Sequence, residues 1–134
     1  MRIIGGKWGG RALVAPRGDA VRPTSDRVRE ALFNVLGVLD DADVLDVCAG
    51  TGAIGLEALS RGARATVAIE QDRHALRAIA ANVASLGAGA THRVVALDLR
   101  RALPTLAADG RRFHLIFCDP PWARAPELGR LVLD

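Results

Sequence analysis

The sequence predicts a doubly wound α/β domain, built on a mostly parallel sheet with helices on both faces and preceded by a small β-hairpin. Three observations lead there. From Asp43 onward, short continuous apolar runs alternate with segments of helical period, the pattern of parallel strands buried on both sides. The first of these runs ends in a glycine-rich turn, Ala49-Gly-Thr-Gly52, that leads directly into a helix. Half of the 134 residues are apolar, enough to bury one core in a single domain.

Arg2-Ile-Ile and Arg11-Ala-Leu-Val flank the turn Gly5-Gly-Lys-Trp-Gly-Gly10 and read as the hairpin, with residues 1–20 as an N-terminal extension and 21–134 as the main domain. A flexible stretch at Pro16–Asp19 follows. Thr24 is then the expected N-cap of a helix over 26–36, whose Val28, Ala31, Leu32, Val35 and Leu36 have the spacing of one buried face, ended by Gly37. Val44–Val47 is the first strand, and Ala53–Arg61 the helix after it. Ala65–Ile69 is the second strand. Asp72 caps a helix running to about Leu86, with Leu76, Ile79, Ala80 and Val83 along its inner face. Arg93–Leu97 is the third strand, Leu99–Ala108 a helix that contains Pro104, and Phe113–Cys118 the fourth strand. The sequence contains no apolar run of about 18 residues and no signal-peptide layout, so a cytoplasmic location is expected.

Charge is unevenly placed. Residues 1–30 hold seven basic groups against three acidic ones, while the rest of the chain is nearly balanced. Such an excess suits a polyanionic partner, since neutralising phosphates releases counterions; a genome that favours Arg over Lys also produces it. Cys48, Cys118 and the three histidines fall in no metal-ligand spacing, so no metal is expected, and both cysteines are expected as buried, reduced thiols.

The turn after the first strand marks a cofactor site. Cys48, Ala49, Gly50, Thr51 and Gly52 form it, and glycines there let a ligand approach the backbone. Gly50, Gly52 and Gly55 also satisfy G-x-G-x-x-G, so a dinucleotide is a competing reading. Glu70, at the end of the second strand and next to Gln71, would hold ribose hydroxyls in either case. Asp46 does discriminate: a carboxylate before the glycines meets a cationic methionine moiety and repels a pyrophosphate. Asp98, beyond the third strand, is placed to accept from an adenine amino group. Acidic groups at three successive strand ends therefore point to S-adenosylmethionine.

Asp119-Pro-Pro-Trp122 follows the fourth strand at the same edge of the sheet. An aryl amine is a poor nucleophile because its lone pair is delocalised into the ring. The Asp119 carboxylate and the Pro120 carbonyl can accept its N–H groups and aim the lone pair, with Pro120 and Pro121 stiffening the loop. Trp122 offers a flat surface on which an extruded base can stack.

These motifs, together with Arg22-Pro-Thr-Ser-Asp-Arg-Val-Arg-Glu-Ala-Leu-Phe-Asn34 and Leu56-Glu-Ala-Leu-Ser-Arg-Gly62, resemble the RsmD family from Met1 to Trp122. The resemblance implies a Rossmann-like class I fold dependent on S-adenosylmethionine. It also implies methyl transfer to the exocyclic N2 amine of a guanine in small-subunit (16S) ribosomal RNA, on naked RNA or an assembling subunit. Arg2, Lys7, Trp8, Arg11 and Arg22 would then contact RNA, and Arg22–Asn34 would pack beside the active site. Trp122 stands where that family usually has Tyr or Phe, and Cys48 where it usually has a bulkier aromatic. Asp-Pro-Pro-Trp is also familiar among adenine-N6 methyltransferases, which leaves adenine as an alternative base, and a non-catalytic RNA-binding module as an alternative function. A fold of this class normally continues for about 60 residues, two strand–helix units of roughly 30 each, beyond the fourth strand. The domain is therefore expected to be C-terminally incomplete and poorly active alone, with an exposed edge strand able to self-associate.

Overall fold

The computed structural model describes residues 1–15 and 25–118. Pro16–Asp19, Arg22, Thr24 and the loop of Asp119, Pro120, Pro121 and Trp122 lie outside the described residues. Four strands, β1 (Asp43–Val47), β2 (Ala65–Ile69), β3 (His92–Val95) and β4 (Leu115–Cys118), pair in parallel in the order β3-β2-β1-β4. Val47 is in register with both Ile69 and Cys118, so the C-terminal ends of β1, β2 and β4 reach one edge together. The strand order reverses between β2 and β4 on either side of β1, which opens a crevice at that edge.

Alternation along the strands divides the core in two. Leu45, Val47, Val67, Ile69 and Val95 face α4 (Leu99–Ala108) and meet its Leu99, Ala102 and Leu106. The opposite face is covered by α2 (Ala53–Ser60) and α3 (Arg73–Leu86), and Val44 packs there with Ile54, Leu56 and Leu59. All eight residues of α2 are buried, because α1 (Asp26–Leu36) and the N-terminal hairpin cover it from outside. At Gly55 a Cβ would fall 2.5 Å from the Thr66 methyl, so α2 can sit this close to β2 only with glycine there.

Several elements differ from expectation. The hairpin is minimal: one Arg2–Ala12 antiparallel bridge, flanked by Ile3–Arg11 and Leu13–Met1 backbone bonds and closed by a 3-10 turn at Gly6–Trp8. Helix α1 is capped by Ser25, whose hydroxyl accepts from the Val28 amide at 3.2 Å. Its expected inner face is out of phase. Val28 and Val35 are 56% and 84% exposed, and the inner stripe is Arg29, Leu32, Phe33 and Leu36, the same spacing rotated by one residue. The rotation follows from Arg29, which finds a buried counterion on α2. In α3, Ala80 is exposed and the inner stripe is Ala75, Ile79, Asn82 and Leu86. Asp72 caps α3 through the Ala75 amide at 2.8 Å, as expected. β4 lies at the sheet edge with Ile116 half exposed, so Cys118, expected to be buried, is exposed, and Cys48 is half-buried.

Candidate functional site

The C-terminal edge of β1 and β2 carries the glycine turn. Cys48, Gly50 and Gly52 all have positive φ (60°, 60° and 79°), three left-handed residues within five. Glycine takes this conformation readily, but at Cys48 it costs on the order of 1–2 kcal/mol, so the surrounding bonds must enforce it. Those bonds are present. The Ala49 amide donates to the Ile69 carbonyl at 3.0 Å and the Gly52 amide to Ala49 at 2.9 Å. The Thr51 hydroxyl accepts from the Ala53 amide at 3.1 Å and starts α2. Ile79 of α3 packs beneath Gly52.

Glu70 follows β2 directly. One carboxylate oxygen accepts from the Gly50 amide at 2.8 Å, and the other from the Gln71 and Asp72 amides, each at 3.0 Å. The same side chain thus tethers the glycine turn and organises the start of α3. Asp46 is 1% exposed on β1, two residues before Cys48. Asp98 lies three residues beyond the end of β3, which stops at Val95 and not at Leu97. Its carboxylate caps α4 through the Arg100 amide at 3.0 Å. Asp46, Glu70 and Asp98 therefore stand at or just past the ends of three neighbouring strands, beside the buried Ala49–Gly52 turn. These donors and acceptors fit a cationic nucleoside cofactor. The glycine pattern alone does not choose one, since Gly55 serves helix–sheet packing.

The opposite edge of the sheet has a different character. Arg64 donates to Asp43 through Nε at 3.0 Å and through Nη2, and this pairing holds the Asp43 carboxyl below its ordinary 3.8. Asp43 and Arg64 line a shallow cleft with Arg111 and Arg112. Nδ1 of His114 accepts from the Asp43 amide at 3.0 Å, which fixes the proton on Nε2 and ties the start of β4 to β1.

The basic residues singled out on the hairpin are held in distinct ways. The Lys7 ammonium lies 4.5 Å from the Trp8 ring centroid, and Trp8 is half-buried against the core. Arg2 is exposed, while its backbone carbonyl accepts from Arg29. Arg11 donates to the Ser85 carbonyl of α3 at 2.7 Å, so its side chain also docks the hairpin.

That docking depends on residues the sequence reading did not assign. Glu57 of α2 is fully buried. It accepts from the Ile4 and Gly5 amides at 2.9 and 3.0 Å, and from Nε of Arg29 and of Arg61 at 3.2 and 2.9 Å. One turn on, the Ser60 hydroxyl accepts from the Trp8 amide at 2.9 Å and donates to the Gly5 carbonyl at 2.6 Å. At Gly6 a Cβ would lie 1.9 Å from the Ser60 carbonyl oxygen, so the turn rests directly on α2. Asn82 of α3 pairs with both backbone groups of Val14. One signal was available: α2 is apolar on every side except Glu57 and Ser60, and such a helix is covered all round. Among the described residues no His, Cys, Asp and Glu cluster could hold a metal, and no helix is long and apolar enough to cross a membrane.

The chain resembles known proteins along nearly its whole length. It is 48% identical over 125 residues to ribosomal RNA small subunit methyltransferase D of Escherichia coli K12, covering 92% of this chain and 61% of that protein. It is 38% identical over 123 residues to YlbH of Bacillus subtilis 168, covering 91% and 67%. The chain thus spans about three fifths of the E. coli relative's length. The solved structure of the Thermus thermophilus protein TTHA0928 superposes with a TM-score of 0.85 at 40% identity, over 99% of this chain and 77% of that one. The C-terminal domain of the Rhodobacter capsulatus precorrin-6Y C5,15-methyltransferase shares the fold, with a TM-score of 0.63 at 20% identity, over 81% and 58%. The fold is that of the class I S-adenosylmethionine-dependent methyltransferases. The profile of one family, described as conserved hypothetical protein 95, matches residues 1–132, and the chain belongs to that family, the RsmD family.

Proposed function

We propose that the chain carries the cofactor site and catalytic loop of an S-adenosylmethionine-dependent methyltransferase that modifies the exocyclic N2 amine of a guanine in small-subunit ribosomal RNA. The observation that carries this reading is the set of acidic groups Asp46, Glu70 and Asp98 at neighbouring strand ends around the Gly50–Gly52 turn. The identity with a protein named as a small-subunit ribosomal RNA methyltransferase supports the substrate.

When bound, S-adenosylmethionine supplies an electrophilic methyl group on a sulfonium. This chain's residues hold and orient. Asp46 places a buried carboxylate toward a cation, Glu70 offers acceptors for ribose hydroxyls, and Asp98 offers one for an adenine amino group. Asp119 and the Pro120 carbonyl accept the N–H groups of the target amine and direct its lone pair, after which Asp119 takes the proton. Pro121 stiffens that loop and Trp122 stacks on the extruded base. Lys7 and Trp8 on the hairpin, with Arg2, Arg11 and Arg22, supply cationic and stacking contacts to RNA.

The test is nucleoside mass mapping of small-subunit ribosomal RNA from cells with and without the protein. The reading expects one N2-methylguanosine to disappear with the protein. Loss of an N6-methyladenosine would establish the adenine alternative, and an unchanged pattern would leave an RNA-binding module. Asp119→Ala is expected to abolish methyl transfer while cofactor affinity changes less than about threefold, checked by calorimetry; a collapse of cofactor binding would reassign Asp119.

A further inference from the structure

Asn82 occupies a junction that neither the glycine turn nor the hairpin contains. It lies on the inner stripe of α3, 2% exposed. Its Oδ1 accepts from the Val14 amide at 2.8 Å, and its Nδ2 donates to the Val14 carbonyl and to the Thr51 carbonyl, each at 3.0 Å. The three bonds fix the orientation of the carboxamide: the oxygen must face the Val14 N–H, which leaves both amino hydrogens for carbonyls. With Val14 the side chain forms a two-point clamp like a rung of a β-ladder. With Thr51 it holds the middle of the glycine turn. One planar, buried group therefore bonds the limb that leaves the hairpin and the loop assigned to the cofactor.

The surroundings make this a stiff link. Arg11 bonds to Ser85 and Val14 to Asn82, so the limb runs antiparallel along α3, toward the sheet edge that carries the turn. One helical turn before Asn82, Ile79 packs beneath Gly52. Thr51 is 2% exposed, so water cannot readily replace the bond to its carbonyl. If the limb shifts, Asn82 loses two bonds at once and the Thr51 carbonyl loses its orienting donor.

We propose that Asn82 is a positioning residue that couples docking of the hairpin limb to the conformation of the cofactor turn, so that ribosomal RNA held by the hairpin and the cofactor bind with positive cooperativity. This rests on the function proposed above. Coupling of this kind is reciprocal: RNA tightens cofactor binding by the same factor by which cofactor tightens RNA binding.

The experiment is calorimetry on the full chain, titrating S-adenosylhomocysteine with and without a small-subunit ribosomal RNA fragment, then the RNA with and without S-adenosylhomocysteine. The wild-type protein is expected to show a coupling of about fivefold or more in both directions. Asn82→Ala removes the link from the α3 side. Val14→Pro removes the N–H that Oδ1 accepts, leaving Asn82 and Thr51 intact, and it carries the test if Asn82→Ala does not fold. Each folded variant is expected to bind both ligands with the coupling reduced to near unity, and the double variant to lose no more than either single one. Coupling that persists in a folded variant, or losses that add, overturns the proposal. A wild-type chain that binds both ligands without coupling overturns it while leaving the function standing; one that binds neither overturns the function itself.

Discussion

On the α4 side of the sheet, Leu45, Val47, Val67 and Ile69 meet Leu99, Ala102 and Leu106 through apolar contact. On the other side the described residues bury a carboxylate, a guanidinium, a hydroxyl and a carboxamide, from Glu57, Arg29, Ser60 and Asn82, and each has named partners. Apolar contact is non-directional and holds elements whose register the sheet already sets. The hairpin has no such frame. Its buried apolar side chains are Ile3 and Leu13, too few to select one docking position, so directional bonds from Glu57, Ser60 and Asn82 select it. The side that carries the candidate RNA contacts is thus positioned by charge and hydrogen bonds, and the other side by volume.

This contrast predicts unequal tolerance. Glu57→Gln keeps the shape but removes the fully buried counterion of Arg29, which keeps its ion pair with the part-exposed Asp26 at 2.9 Å, and is expected to cost about 3 kcal/mol in urea unfolding. The Ile4 and Gly5 amides should lose hydrogen-exchange protection more than Val67 and Ile69. A cost below about 1 kcal/mol would remove the distinction between the two sides.

His92 sharpens the contrast by acidity. It is buried beneath α2 on the polar side, with Nε2 facing Gly55. Burial pushes its pKa down from 6.5 to about 4. Between those values the unfolded chain binds a proton that the folded chain refuses, so stability is level above pH 6.5 and falls as pH drops toward 4. The loss is roughly 3 kcal/mol, by the usual conversion of a pKa difference to free energy. Unfolding followed across that range should show the slope in the wild type and a flatter profile in His92→Leu. Equal slopes would assign the acid sensitivity elsewhere; Asp43, held low by Arg64, titrates below this window.

The smallest effect belongs to the apolar side. Leu106→Met conserves volume and should cost less than about 1.5 kcal/mol in the same unfolding assay. A larger loss would mean that this side, too, depends on specific geometry.

Much of this division was hidden in the sequence. The strands, the glycine turn and the cap at Asp72 were legible, because periodicity and capping are local signals, whereas Asp98, read as an acceptor for a ligand, caps α4. Helix α1 misled, since its most regular apolar stripe, Val28-Ala31-Val35, points outward and Arg29 points in. A lone Arg in a helix reads as surface until its buried counterion is known, and Glu57 is 28 residues away. The same holds for Asn82 and Val14, which pair across 68 residues. The acidic residues at the strand ends could be read because each lies at or just past the end of its own strand, whereas the bonds of Glu70 to the Gly50 amide and of Arg11 to Ser85 needed coordinates.

Those separations also order events during synthesis. The hairpin is made before the residues that anchor it: Glu57 and Ser60 lie 52–55 residues beyond their hairpin partners, Asn82 lies 68 beyond Val14, and Ser85 lies 74 beyond Arg11. At about 5–20 residues per second, the hairpin waits on the order of 4–15 s for the last of these anchors. For that interval its basic and aromatic side chains sit on an undocked ribbon, waiting for partners made well after it.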